Sequence, residues 1–157
     1  MQNVKLDRID HAILDALQND SRISNAELAE SVGLSESASS RRIKRLEEQK
    51  IISHYAAHLN ADAVGLSGTV FVHVSLSDQR EESLRRFEEA VQSVDEVMEC
   101  YLMSGDVDYM LRVVIKNTAD FERIHNKLTK LPSVDRIHSR FALRPVLKRT
   151  CLPLQHQ

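Results

Sequence analysis

The chain has 157 residues, 42% hydrophobic and 28% charged, with a formal net charge of -2, the profile of one medium globular domain or two small ones. With 4 Gly and 3 Pro it falls outside the low-complexity classes, and no apolar run approaches the roughly 20 residues that span a bilayer. The stretch MQNVKLDRID lacks the apolar core of a signal peptide and the two cysteines, Cys100 and Cys151, form no CxxC pair, so a cytoplasmic location with free thiols and no membrane partner is expected.

Residues 1–60 hold eight Lys/Arg against nine Asp/Glu, and residues 61–157 hold thirteen against fourteen. Neither half is polycationic, so any nucleic-acid contact has to rest on a local patch.

Ile9, Ala12, Ile13, Ala16 and Leu17 recur at helical spacing behind Asp7, whose carboxylate suits an N-cap. Ser24 and Glu27 form a capping box, flanked by Ile23 and Leu28 as a hydrophobic staple, and Val32-Gly33 supplies a left-handed stop. Ser35 then caps a third helix after a short turn. Two helices joined by a tight Gly-containing turn are a helix-turn-helix.

On a helical wheel the third helix gathers Ala38, Ile43 and Leu46 on one side and Ser37, Ser40, Arg41, Lys44 and Arg45 on the other. Arg42 lies at the flank, its stem able to pack while its head reaches out. Four cations stand in the five positions Arg41–Arg45. A basic helix face alone is usually solvated surface. Small hydroxyls near the helix start with cations one turn later are what a recognition helix needs, base edges first and phosphates next. Double-stranded DNA is the expected partner.

From Leu66 the period changes. Val70, Val72, Val74 and Leu76 alternate with Phe71, His73 and Ser75, which predicts a strand. A helix carrying Leu84, Phe87 and Val91 follows, then strands over 97–103 and 109–115 around the turn 104–108. A second helix with Phe121, Ile124, Leu128 and Leu131 ends at Pro132, and a last strand runs over 134–143. The order βαββαβ is ferredoxin-like, with two helices on one face of an antiparallel sheet. Phe71, His73 and Ser75 make the other face too apolar to stand fully in water, and the sheet edges need cover, so a homo-oligomer is expected. The fold class is therefore α+β: a winged-helix-like helix-turn-helix domain over 1–50, a linker over 51–66 in which Ile51–Leu59 could form a strand or wing, and a ferredoxin-like domain over 67–157.

The segments LDRIDHAILDALQNDSRISNAELAESVGLS, RRIKRLEEQKII, SGDVDYMLRV, SRFALRPV and TCLPL, in that order, resemble the Lrp/AsnC (feast/famine) transcriptional regulators over nearly the whole chain. The resemblance implies DNA contact by Ser37, Ser40, Arg41, Arg42, Lys44 and Arg45. It implies homodimers assembled into larger rings, with an amino acid or related metabolite bound between subunits. The effector region it implies comprises Met103, Ser104, Gly105, Asp106, Asp108, Tyr109 and Ser139. The turn's amides could hold a carboxylate, and Asp106 or Asp108 could pair with an amino group, although Asp is also common in turns for local reasons. Three positions depart from the family pattern. Lys50 stands where Gly is usual, Val107 where an aromatic is frequent, and Arg140 at a variable position on the strand face opposite Ser139. Near a ligand, Arg140 would favour an acidic or carboxylate-bearing effector.

Two other classes compete. The same fold resembles that of sirohaem decarboxylases, which need polar groups, His among them, around a tetrapyrrole. The seven histidines, at 11, 54, 58, 73, 125, 138 and 156, have no metal-ligand spacing and are read as structural or surface groups. No P-loop, Rossmann fingerprint or nucleophile–base–acid set is present, so neither an enzyme nor a cofactor is expected. An architectural DNA binder without an effector is the remaining alternative.

Overall fold

The computed structural model describes residues 5–154 and divides into two compact units. One runs to Ala57 and includes the chain again from Val146; the other is His58–Pro145.

The first unit holds α1 (Arg8–Asn19), α2 (Asn25–Ser31) and α3 (Glu36–Glu48). Each starts at an expected cap. Asp7 accepts from the Asp10 amide while the Asp10 carboxylate accepts from the Asp7 amide. Ser24 and Glu27 do the same for α2, and the Ser35 hydroxyl accepts from Ala38. These bonds occupy amides that the first helical turn leaves without partners. Ile13, Leu14, Leu28 and Leu46 form the core, with Ile9, Ile23, Leu34, Ile43, Ile51 and Ile52 packed around it.

Both α2 and α3 end in the same two-bond motif. After α2, Gly33 (φ +68°) donates to Glu30, and Leu34 donates to the Ala29 carbonyl. After α3, Lys50 (φ +57°) donates to Glu47, and Ile51 to Leu46. The paired bonds satisfy carbonyls of the last turn and bring Leu34 and Ile51 back onto the core. Glycine adopts this left-handed geometry freely, whereas lysine bears a steric cost there.

Two expectations change in this unit. Residues 51–59 form no strand or wing, because no neighbouring strand in the chain pairs with them. The chain from Val146 groups with α1–α3, although the sequence pattern kept it with the second domain. Gln18 explains the docking: its Oε1 accepts from the Leu152 amide (2.6 Å) and its Nε2 donates to the Leu152 carbonyl (3.3 Å). Leu154 packs against the core beyond it.

The second unit has β1 (Gly68–Leu76), α4 (Glu81–Val91), β2 (Val97–Leu102), β3 (Tyr109–Ile115), α5 (Thr118–Leu128) and β4 (Val134–Phe141). The order is β2-β3-β1-β4 with every pair antiparallel, which is the ferredoxin-like topology. β2 and β4 end one and two residues earlier than the pattern predicts. Val70, Val72, Val74, Leu76, Leu111, Val113 and Ile115 point from the sheet onto Phe87, Val91, Phe121, Ile124 and Leu128 of the helices. The opposite face carries Phe71 between Arg112 and Arg140, and His73 between Met110 and His138. Phe71, His73 and Met110 are half-buried although no helix covers that face. At Gly68 an added Cβ would stand 2.4 Å from the Ile115 side chain, so β1 and β3 meet there without room for one.

Among the described residues no helix is long and apolar enough to cross a membrane; His156 lies outside them. Replacing Lys50 with Gly relieves the left-handed cost of about 1–2 kcal/mol, offset by about 0.5–1 kcal/mol of extra unfolded-state freedom. A net gain of about 0.5–1 kcal/mol in chemical denaturation is expected, with the helix content unchanged by circular dichroism.

Candidate functional site

The exposed side of α3 presents Ser37, Ser40, Arg41 and Lys44 to solvent. Their spacing follows from the helix period, and the inward side is fixed by Ser39 and Leu46, both fully buried seven residues apart. Ser39 is a hydroxyl on the apolar face, and its Oγ has no hydrogen-bond partner. Its small size at the buried side lets the helices approach. Arg41 folds back so that Nε donates to the Ser37 carbonyl (3.3 Å), and Lys44 stands 3.8 Å from Glu48. An open groove of about 420 Å³ is lined by Leu34, Ala38, Arg41, Arg42 and Arg45.

Arg42 and Arg45 differ from the others. Arg42 Nη1 donates to Asp7 Oδ2 (2.7 Å) and to Asp10 Oδ1 (2.8 Å). Arg45 Nη2 forms an ion pair with the same Asp10 oxygen at 2.6 Å. Arg42 thus turns its head to α1 rather than outward, which corrects the expectation of a head reaching away from the protein. The Asp10 amide and then the Arg42 guanidinium hold the Asp7 carboxyl below its ordinary value. Sequence reasoning assigned Asp7 to the cap and did not single out Asp10. The signal was present as an acid at the third position of α1, but its partners lie 32 and 35 residues away.

The residues of the expected effector region do not form one cluster. The Met103 amide donates to the Asp108 carbonyl (2.8 Å), closing a turn that holds Ser104, Gly105 and Asp106 in solvent. Gly105 has φ +111°, a conformation that favours glycine. Asp108, by contrast, is 9% exposed. Its Oδ2 accepts from the Leu76 amide (2.7 Å) and its Oδ1 from Gln79 Nε2 (2.7 Å), so its side chain closes the corner between β1 and α4. Tyr109 is buried beneath the helices, its ring 4.6 Å from Phe87 and its hydroxyl donating to Glu88 (2.7 Å). Burial and then Glu88 push that phenol up. The same surroundings push the nearby Cys100 thiol up to about 11.

Ser139 pairs with Val72 and shares its helix-covered side; its Oγ is buried without a partner. β4 is separated from β3 by β1, two strand spacings or about 10 Å, so Ser139 and the 103–108 turn do not meet within one chain. Arg140 is exposed on the opposite face beside Phe71. Strand alternation had separated these two residues correctly, and the burial of Tyr109 follows from the same alternation. Among the described residues no group of three or more His, Cys, Asp or Glu is placed to hold a metal ion.

A family model of the AsnC-type helix-turn-helix domain matches residues 6–47, and one of the Lrp/AsnC ligand binding domain matches residues 69–152. The chain is 46% identical over 151 residues to the Bkd operon transcriptional regulator of Pseudomonas aeruginosa, covering 96% of this chain and 99% of that one. The chain belongs to the Lrp/AsnC family of transcriptional regulators.

Solved structures agree. An AsnC family regulator from Agrobacterium tumefaciens superposes with a TM-score of 0.90 at 38% identity, over 94% of this chain and 97% of that one. A Neisseria meningitidis transcriptional regulator in complex with L-Met gives 0.91 at 33% identity, over 97% and 99%. The first unit of this Lrp/AsnC regulator is therefore a DNA-binding helix-turn-helix and the second a ligand-binding domain. The relatives are regulators, which removes the tetrapyrrole decarboxylase from consideration.

The geometry separates two acids in the ligand-binding domain. Asp108→Ala leaves the Leu76 amide without its buried acceptor and should cost about 2–3 kcal/mol. Asp106→Ala, in the exposed turn, should change stability by less than about 0.5 kcal/mol. Urea denaturation of the two variants makes the comparison.

Proposed function

We propose that this regulator binds a partly palindromic operator as a homodimer or an assembly of dimers, and that an amino acid or related small metabolite adjusts that binding. The observation that carries the effector reading is the L-Met bound to a relative that matches 97% of this chain. The uncovered face of the sheet supports self-association. Phe71 and Met110 lie there among His73, Arg112 and Tyr101, and a second copy would remove that apolar surface from water. On this reading the protein works in the cytoplasm, where DNA and free amino acids are both at hand.

Ser37 and Ser40 lie in the first half of α3, where a recognition helix meets base edges, and Arg41 and Lys44 follow as phosphate contacts. Arg45 contributes the N–H groups that Asp10 does not occupy, and Arg42 acts mainly as a brace. The exposed 103–106 turn is the part of the effector region free to meet a ligand, with Gly105 allowing close backbone approach. Ser139 and Arg140 would join the turn only if a second subunit supplied them. An effector works here by binding one assembly better than another, since equal affinity for both would shift nothing.

Fluorescence anisotropy of DNA from upstream of the protein's own gene, over a salt series and with L-Met or other amino acids added singly, tests this reading. Sequence-selective binding altered by one of them is expected; selective binding indifferent to all of them would remove the amino-acid effector. Arg41→Ala should weaken binding and reduce the magnitude of the log–log salt slope by about 0.9 per subunit. An unchanged slope would remove Arg41 from the phosphate contacts.

A further inference from the structure

We infer that Asp10 is a positioning residue for DNA recognition, holding Arg45 in one geometry and keeping its charge from acting as a mobile phosphate contact. The inference rests on the proposed DNA role of Arg45.

The Asp10 side chain is 1% exposed, yet it lies on α1 and not on the recognition helix. One of its oxygens accepts from Arg42 and is ion-paired with Arg45, and the other accepts from the Asp7 amide. Both oxygens of the carboxylate therefore face groups that fix either α3 or the start of α1. Arg42 is held at two points, by Asp7 and Asp10, and is 26% exposed. Arg45 is held at one point and is 43% exposed. A guanidinium has five N–H donors in a rigid plane. Among the described residues only Nη2 of Arg45 is engaged, which leaves its other donors at the rim of the groove formed with Leu34, Ala38 and Arg41.

Tethering has opposite consequences for the two ways a protein can bind DNA. Selective binding gains when a side chain already stands where it is needed, because less rotamer freedom is lost on contact. Non-selective binding depends on mobile charge that can follow phosphates in any register. A cation held beside a carboxylate is both less mobile and partly neutralised. Of the four cations that the sequence places in Arg41–Arg45, two are therefore withheld from indiscriminate attraction by acids of the neighbouring helix. The helix keeps its positive face through Arg41 and Lys44, while Arg45 adds direction.

The test compares the wild-type protein with Asp10→Asn on two probes over a salt series by fluorescence anisotropy. One probe is the duplex enriched by the wild-type protein from a randomised pool, and the other is a shuffled duplex of the same length. Asp10→Asn keeps the side-chain shape and removes the charge. The expected result is tighter binding to the shuffled duplex at low salt, a salt slope larger by up to about 0.9 per subunit, and about a tenfold fall in the ratio of the two affinities. A purely structural role would lower both affinities together and leave the ratio in place, and that result overturns the inference, as does no change at all. Arg45→Lys decides the matter if Asp10→Asn unfolds by circular dichroism. It keeps the charge but not the planar fork, so the ratio should fall with the shuffled-duplex slope unchanged; an unchanged ratio overturns the inference. Failure of the wild-type protein to enrich any duplex would instead strike the reading of operator binding on which this rests.

Discussion

The order of the DNA-binding unit depends on one ion cluster built around the buried Asp10 carboxylate. Its hydrophobic core is small, with five apolar side chains buried among the described residues and a ring of partly covered ones around them, and cores of that size leave a domain marginal. Three helices on such a core could rotate about one another with little loss of apolar contact. The Asp10 carboxylate removes that freedom, because a buried charge is tolerated only with its partners in place and becomes strongly destabilising when they leave. The cluster therefore specifies one arrangement of α1 and α3 whether or not it adds much net stability. Asp7 joins it through Arg42, so the α1 cap and the α1–α3 contact are parts of the same set of bonds.

A second buried carboxylate organises the ligand-binding unit by different chemistry. Among the described residues Asp108 makes no ion pair; it accepts from a backbone amide and a side-chain amide across the end of the sheet. Its own amide donates to Val74 and its carbonyl accepts from Met103. One residue thus joins β1, the start of α4 and the turn before β3. The exposed tip at 104–106 rests on support that lies underneath, in Asp108 and Tyr109.

What was legible in the sequence follows the range of each interaction. Caps at Asp7, Ser24 and Ser35 join residues three apart, and each is seen in the structure. The alternation at 70–76 and the helical spacing of Phe87–Val91 and Phe121–Leu128 were legible because burial repeats with the local period. Bonds between distant positions left no local trace: Asp10 to Arg42 and Arg45, Gln18 to Leu152, and Asp108 to Gln79 join residues 29 to 134 apart. The residues were visible while their partners were not, so Arg42 read as a free head and Asp108 as a turn acid. The expected strand at 51–59 failed for a related reason. A strand needs a ladder partner, and the apolar and polar mixture of that segment cannot say whether one exists.

Charge gives the proposed assembly a physical purpose. With Arg42 and part of Arg45 committed to Asp10, the cations at 41–45 would offer each DNA site about two to three charges on the proposed reading, a modest electrostatic contribution. One unit alone would bind weakly and with little preference. Two units held at a fixed spacing convert the second contact into an intramolecular one, and the combined affinity can exceed either by orders of magnitude. That gain is lost when the spacing no longer matches the DNA. On the proposed reading, a ligand-binding domain that sets how subunits associate governs operator affinity without touching a single DNA-contacting side chain.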